Sequence, residues 1–167
     1  MIDNQFRRFQ EKDMAKIDGV SIKQIKKHCD DRGFICEVFR DDEGYIPAPC
    51  RQTTFTTTYP GVVKAFHWHK KQWDYWYVLS GMARIVLYDM REGSPTKGNT
   101  QVICAGTHNP VAVAIPPFVA HGYQVLGNEP VMLFYHTSEV YDRDNPDEER
   151  MGWDDPTIGF DWSVRNR

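Results

Sequence analysis

The chain has 167 residues, 41% of them hydrophobic and 13% aromatic, and a formal charge of −3 from 20 basic and 23 acidic side chains. That suffices for one good core and is short for two, while the near-balanced charge excludes a broad nucleic-acid surface, which needs a basic excess on one face. No apolar run approaches bilayer-spanning length and the opening MIDNQFRRFQEKD lacks the apolar centre of a secretory signal, so the sequence reads as a cytoplasmic protein without membrane contact.

Residues 1–19 read as an N-terminal arm with one short helical turn near residues 9–15. Beyond it, Val, Ile, Thr, Tyr, Phe and Trp gather in short runs broken by Gly, Pro, Asn and Asp, the pattern of an all-β sandwich or barrel in a single domain. In chain order the runs are GFICEVF (33–39), RQTTFTTTY (51–59), GVVKAFHWH (61–69), DYWYVLSGMARIVLYDM (74–90), TQVICAG (100–106), PVAVAIP (110–116) and EPVMLFYHTSEVY (129–141). Within the longest of these, Ser80–Gly81 separates two alternating segments, which predicts a tight hairpin with glycine at positive φ. Residues 142–167 read as a surface segment pinned by Trp153, Phe160 and Trp162. Cys29, Cys36, Cys50 and Cys104 form no CxxC pair and are expected to stay reduced.

Chemistry concentrates in the third run. Residues two apart on a strand face the same side, so His67 and His69 point together into whatever the sheet encloses. Asp74 follows a short polar link, and AIPPFVAHGY brings in His121 after a double proline. Three imidazoles and a carboxylate converging in a barrel suit a divalent ion such as zinc, nickel, iron or manganese, giving His67, His69, Asp74 and His121 as candidate ligands. The alternative is proton chemistry, with His67 free as a base and His69 paired to Asp74. Gly61, His67, His69, Asp74 and Gly81, with a later proline and His121, resemble the two motifs of the cupin superfamily of double-stranded β-helix jelly-roll barrels. Asp74 stands where cupins carry Glu, and Phe118 where they carry Gly.

A narrower resemblance runs from about residue 20 to the end. DDRGFICEVF, CRQTT, GVVKAFH, LYDMREGSPTKG, AIPPFVAHGYQVL, YHTSEVY and WDDPTIGFDW are similar, in order, to motifs of the dTDP-4-dehydrorhamnose 3,5-epimerase family. REGSPT and DDPTIGFDW are the most specific, since no general barrel physics demands them. The resemblance implies a homodimeric epimerase or isomerase of a nucleotide-linked 4-keto-6-deoxy sugar that requires no cofactor. It implies His67 as base, Tyr135 as acid with Tyr141 six residues on, and His121 lining the site. For the nucleotide it implies Gln52 and Lys64, together with Arg32, Phe34 and Glu37 on a segment that enters a neighbouring subunit's site.

Several positions depart from that pattern. Asp74 replaces a lysine that helps hold the enolate, Lys64 replaces an arginine, and the aspartate that partners the catalytic histidine in a C-terminal extension is missing. His69 makes HWHKK similar to the HAHK segment of dTDP-sugar 3,4-ketoisomerases. Two rival readings follow: a metal-dependent cupin of another class (an oxygenase or a sugar-phosphate isomerase), and a non-catalytic sugar-binding barrel.

Overall fold

Twelve short strands, joined by turns and one 3-10 turn at Asp41–Glu43, make up residues 15–164, the part that the computed structural model describes. In chain order they are β1 (Ser21–Gln24), β2 (His28–Asp30), β3 (Gly33–Ile35), β4 (Gln52–Thr58), β5 (Val63–Trp68), β6 (Asp74–Ser80), β7 (Met82–Asp89), β8 (Thr100–Gly106), β9 (Val111–Ile115), β10 (Val119–Leu126), β11 (Val131–Thr137) and β12 (Glu149–Arg150). The helical turn expected near residues 9–15, like most of the N-terminal arm, lies outside the described residues apart from its last residue, Ala15, which is not helical.

Ten of the strands build two five-stranded antiparallel sheets, ordered β1-β9-β6-β11-β4 and β12-β5-β10-β7-β8. From β4 to β7 the chain alternates between the sheets, and it alternates again from β8 to β11. This is the jelly-roll course expected for a cupin, and it arises because each strand has one apolar face that only the opposite sheet can bury. Trp76, Val78, Val113, Ile115 and Leu133 from the first sheet meet Ile85, Leu87, Ile103, Tyr123 and Val125 from the second.

Both outer faces are partly covered as well. Phe39 and Tyr45 pack with Ile25, Tyr77 and Ala112 outside the first sheet, and Trp162 and Phe160 pack with Phe66, Val86 and Ala120 outside the second. The C-terminal segment is thus pinned as expected, but through two of its three aromatics. The Trp153 ring is exposed, and its carbonyl accepts the Trp162 indole N–H at 2.8 Å. The same segment also supplies β12, which pairs with β5.

The expected hairpin at Ser80–Gly81 does not form. β6 pairs with β9 and β11, whereas β7 pairs with β8 and β10, so the turn is a corner between sheets. Glycine is still required there: φ is 75°, and a Cβ would sit 2.5 Å from the Pro130 carbonyl oxygen. A turn signature reports a change of direction, and burial on both sides of β6 removes the alternation that would have shown which partner follows. The run 33–39 is likewise shorter than expected. Only Gly33–Ile35 is strand, paired with β2 in a separate ribbon whose residues are all exposed.

The family-specific REGSPT stretch has a structural explanation. Asp89 at the end of β7 is fully buried, and its carboxylate accepts from Arg91 Nε and Nη2 at 2.8 Å each and from Ser94 and Thr96 hydroxyls at 2.7 Å each. Thr96 in turn accepts the Asp18 amide, which ties the incoming chain to this knot.

Candidate active site

At one end of the barrel the two sheets leave a cleft of about 800 Å³, lined by Gln52, Thr54, Lys64, His67, Tyr135 and Tyr141 among others. β5 and β11 deliver His67 and Tyr135 from opposite sheets. Register places His67 opposite His121 on β10, with ring centroids 4.1 Å apart. The strands approach closely because Gly122 follows: a Cβ there would lie 2.4 Å from that of Ala65. The glycine of the AHG motif is therefore a packing requirement.

His69 falls just past β5 yet stays beside His67, ring centroids 5.5 Å apart, and Asp74 begins β6 at the cleft floor. Asp74 Oδ1 lies 3.6 Å from His69 Nε2, and Oδ2 lies 3.3 Å from His121 Nε2. All four candidate donor atoms fall within 4.8 Å of one another. The set the sequence singled out is thus assembled, with His69, Asp74 and His121 buried.

Backbone carbonyls hold two of the imidazoles. His69 Nδ1–H donates to Asp147 O, and His121 Nδ1–H to Val119 O at 2.8 Å, so both Nε2 lone pairs turn inward. Phe118 N–H donates to His69 O at 2.8 Å and holds the backbone behind the ring. Phe118 itself has φ 59°, in the left-handed region that favours glycine, so the turn is held with an unfavourable residue.

Burial, then the neighbouring His121, push the His67 pKa well below its ordinary value, leaving a neutral ring. Burial raises the Tyr135 phenol, which stays protonated at neutral pH. Burial works against the Asp74 carboxylate, while the Gln72 amide and the Trp76 indole N–H both donate to it, at 2.7 and 3.1 Å, and favour the charged form. Asp74 remains anionic.

Other assignments sort differently. Lys64 donates to Thr56 Oγ1 at 3.2 Å, and Gln52 Oε1 accepts the Tyr141 amide at 2.9 Å, so Gln52 also ties down the loop after β11. Tyr141 sits on that loop with an exposed ring and shares no strand with Tyr135. Arg32, Phe34 and Glu37 are absent from the cleft of their own chain: Arg32 pairs with Asp30, Glu37 with Arg40, and Phe34 is exposed under the Lys27 ammonium.

Two residues of the site carried no sequence signal. Gln72 donates to Asp74 Oδ1 at 2.7 Å and contacts His69 Nε2 at 3.1 Å. Asp147, in an acid-rich stretch that reads as a solvated surface, accepts the Lys70, Lys71 and Gln72 amides at 2.9–3.0 Å and shapes the turn between His69 and Asp74.

The model of the dTDP-4-dehydrorhamnose 3,5-epimerase family matches residues 14–167. The chain is 50% identical over 151 residues to the spore coat polysaccharide biosynthesis protein SpsL of Bacillus subtilis, covering 90% of this chain and 99% of that protein. It is 36% identical to the probable low-salt glycan biosynthesis epimerase Agl13 of Haloferax volcanii, covering 90% and 97%. Among solved structures, the Legionella pneumophila 3,5-epimerase RmlC in complex with dTDP-4-keto-L-rhamnose superposes with a TM-score of 0.80 at 27% identity, covering 92% of this chain and 84% of that one. With its jelly-roll and its histidine–tyrosine cleft, the chain belongs to the dTDP-4-dehydrorhamnose 3,5-epimerase family.

Proposed function

We propose that His67 is the base and Tyr135 the acid of this sugar-nucleotide epimerase or isomerase, working beside the 4-keto group of a dTDP-linked 6-deoxy sugar. The observation that carries the reading is one cleft in which a neutral imidazole and a protonated phenol come from opposite sheets. His67 takes the proton from the carbon next to the ketone, and the C–H electron pair moves to the keto oxygen as an enolate. Tyr135 then delivers a proton to the other face of that carbon, restoring the ketone with the centre inverted; both groups reset through solvent. Lys64 offers its charge to the diphosphate. The family match and relatives named for polysaccharide and glycan biosynthesis favour this over an oxygenase, a sugar-phosphate isomerase or a silent sugar-binding barrel.

The test is a mass spectrum of dTDP-4-keto-6-deoxyglucose after incubation with the protein in heavy water. Deuterium should enter at C3, and at C5 if a second centre is inverted. Binding of the sugar nucleotide without any exchange would make the protein a silent binder.

A dimer completes the reading. Arg32, Phe34 and Glu37 stand on or beside the exposed ribbon, away from their own cleft, and β4 is one of the two edges of its sheet, with Phe55 exposed. Such an edge invites a second copy, and the ribbon is free to reach that copy's nucleotide site. Sedimentation at micromolar concentration should show a dimer. Arg32→Ala combined with Phe34→Ala should raise KM while leaving kcat nearly intact, and a fully active monomer would refute the arrangement.

A further inference from the structure

We propose that Arg150 is a further substrate-binding residue, a guanidinium clamp for the diphosphate of the sugar nucleotide at the rim of the cleft beside His67. The inference rests on the nucleotide-sugar reading above. Neither the strand patterns nor the resemblance singled out Arg150.

Register carries it. β12 is the edge strand next to β5 and sets Arg150 opposite His67, while β10, on the other side of β5, sets His121 opposite His67. Residues directly opposite one another on antiparallel strands share a face, so His121, His67 and Arg150 form one row across the inner face of the sheet. Arg150 accordingly lines the cleft. Glu149, opposite Trp68, faces the other way and takes the Lys70 ammonium at 2.6 Å. Lys64 belongs to the inner face too, because the register shift in β10 pairs it with the core residue Tyr123. Lys64 along β5 and Arg150 across from β12 therefore flank His67.

Charge points the same way. A diphosphate is multiply anionic, yet the cleft is lined by the carboxylates of Asp74, Glu139, Asp142, Asp147 and Glu148. Cations to offset it are few. Lys70 and Lys71 sit on the turn past His69, their amides held by Asp147, and Lys70 is already engaged by Glu149. Lys64 offers a compact point charge, whereas a guanidinium presents a planar fork that matches two phosphoryl oxygens at once.

The fork is held ready by its neighbour. Glu148 Oε1 accepts from Arg150 Nε at 2.7 Å and lies 2.6 Å from Nη2, which occupies one edge of the guanidinium and leaves the Nη1 side to a second anion. The Arg150 side chain is exposed, so this ion pair is weak and yields readily to a more highly charged ligand.

The test is calorimetric titration of the full chain with dTDP. Arg150→Gln should weaken dTDP by about 10–100-fold, the loss expected when charge-assisted hydrogen bonds are removed, and should flatten the fall of affinity with salt. Arg150→Lys should recover only part of the loss, since an ammonium keeps the charge without the fork. Glu148→Gln should act in the opposite direction and tighten dTDP by up to about fivefold, because a competing carboxylate is gone. With dTDP-4-keto-6-deoxyglucose, the Arg150→Gln loss should fall on KM and not on kcat. Arg150 is exposed on an edge strand, so all three variants should melt within about 2 °C of the unmodified protein. Equal dTDP affinity in Arg150→Gln and the unmodified protein overturns the clamp and leaves Arg150 an ordinary surface ion pair. A fall in kcat with dTDP affinity intact also overturns it, placing the guanidinium at the reacting carbon instead. If the unmodified protein itself does not bind dTDP, the nucleotide-sugar reading falls and the clamp with it, so the unmodified protein alone tells the two failures apart.

Discussion

Replacing His67 by Asn should cut deuterium incorporation and turnover by about a thousandfold, within the range by which a positioned base accelerates proton transfer. Asparagine nearly matches the imidazole in size and polarity but cannot accept a proton from carbon, so the cleft keeps its shape. Affinity for dTDP should stay close to that of the unmodified enzyme, because the proposed nucleotide contacts, Gln52 and Lys64, lie elsewhere in the cleft on β4 and β5. Tyr135→Phe provides the contrast: kcat and kcat/KM should fall together by roughly a hundredfold, the signature of an interaction made in the transition state. Normal exchange in His67→Asn would remove His67 from the chemistry. A loss of binding alone in Tyr135→Phe would place Tyr135 among packing residues.

The largest effect on stability should come from Asp89→Asn. The carboxylate accepts a bidentate guanidinium and two hydroxyls in full burial, and an amide presents a donor where one of those donors must be received. Breaking a buried pair from one side costs about 3–5 kcal/mol, which in a domain of this size lowers the melting temperature by roughly 6–20 °C. Burial alone would raise the Asp89 pKa, but Arg91, Ser94 and Thr96 outweigh it and hold it below the carboxylate range. A depressed native pKa contributes stability that is complete above the unfolded value of about 3.9 and is lost as pH falls through the native one. The gap between the two proteins, measured by denaturant melts, should therefore hold from pH 8 to about 5 and narrow only below about 4. A gap that closes near neutral pH would mean that Asp89 is not the charged centre of the knot.

That knot also shows how family signatures mislead about chemistry. REGSPT and DDPTIGFDW carry the most specific resemblance, yet neither lines the cleft. The first satisfies a buried carboxylate, and the second lays Phe160 and Trp162 against Phe66, on the outer side of the strand that presents His67.

The chain by itself determined where most of the strands run, the change of direction at Gly81 and the grouping of His67, His69, Asp74 and His121, while its resemblance to a known family supplied the jelly-roll and Tyr135. The strands, the turn and the histidine grouping are encoded in local period and spacing, which a one-dimensional pattern preserves. Tertiary structure alone decided that β6 and β7 part into opposite sheets, because partner choice depends on which faces are covered and not on the turn between them. It alone drew Asp147, across more than seventy residues, to orient His69 and shape the loop before Asp74. It alone left the ribbon of Arg32 and Phe34 away from its own cleft. The physical reason is common to all three: hydrogen bonds and burial are satisfied by whatever the fold brings near, and nearness across the chain leaves no mark in sequence order.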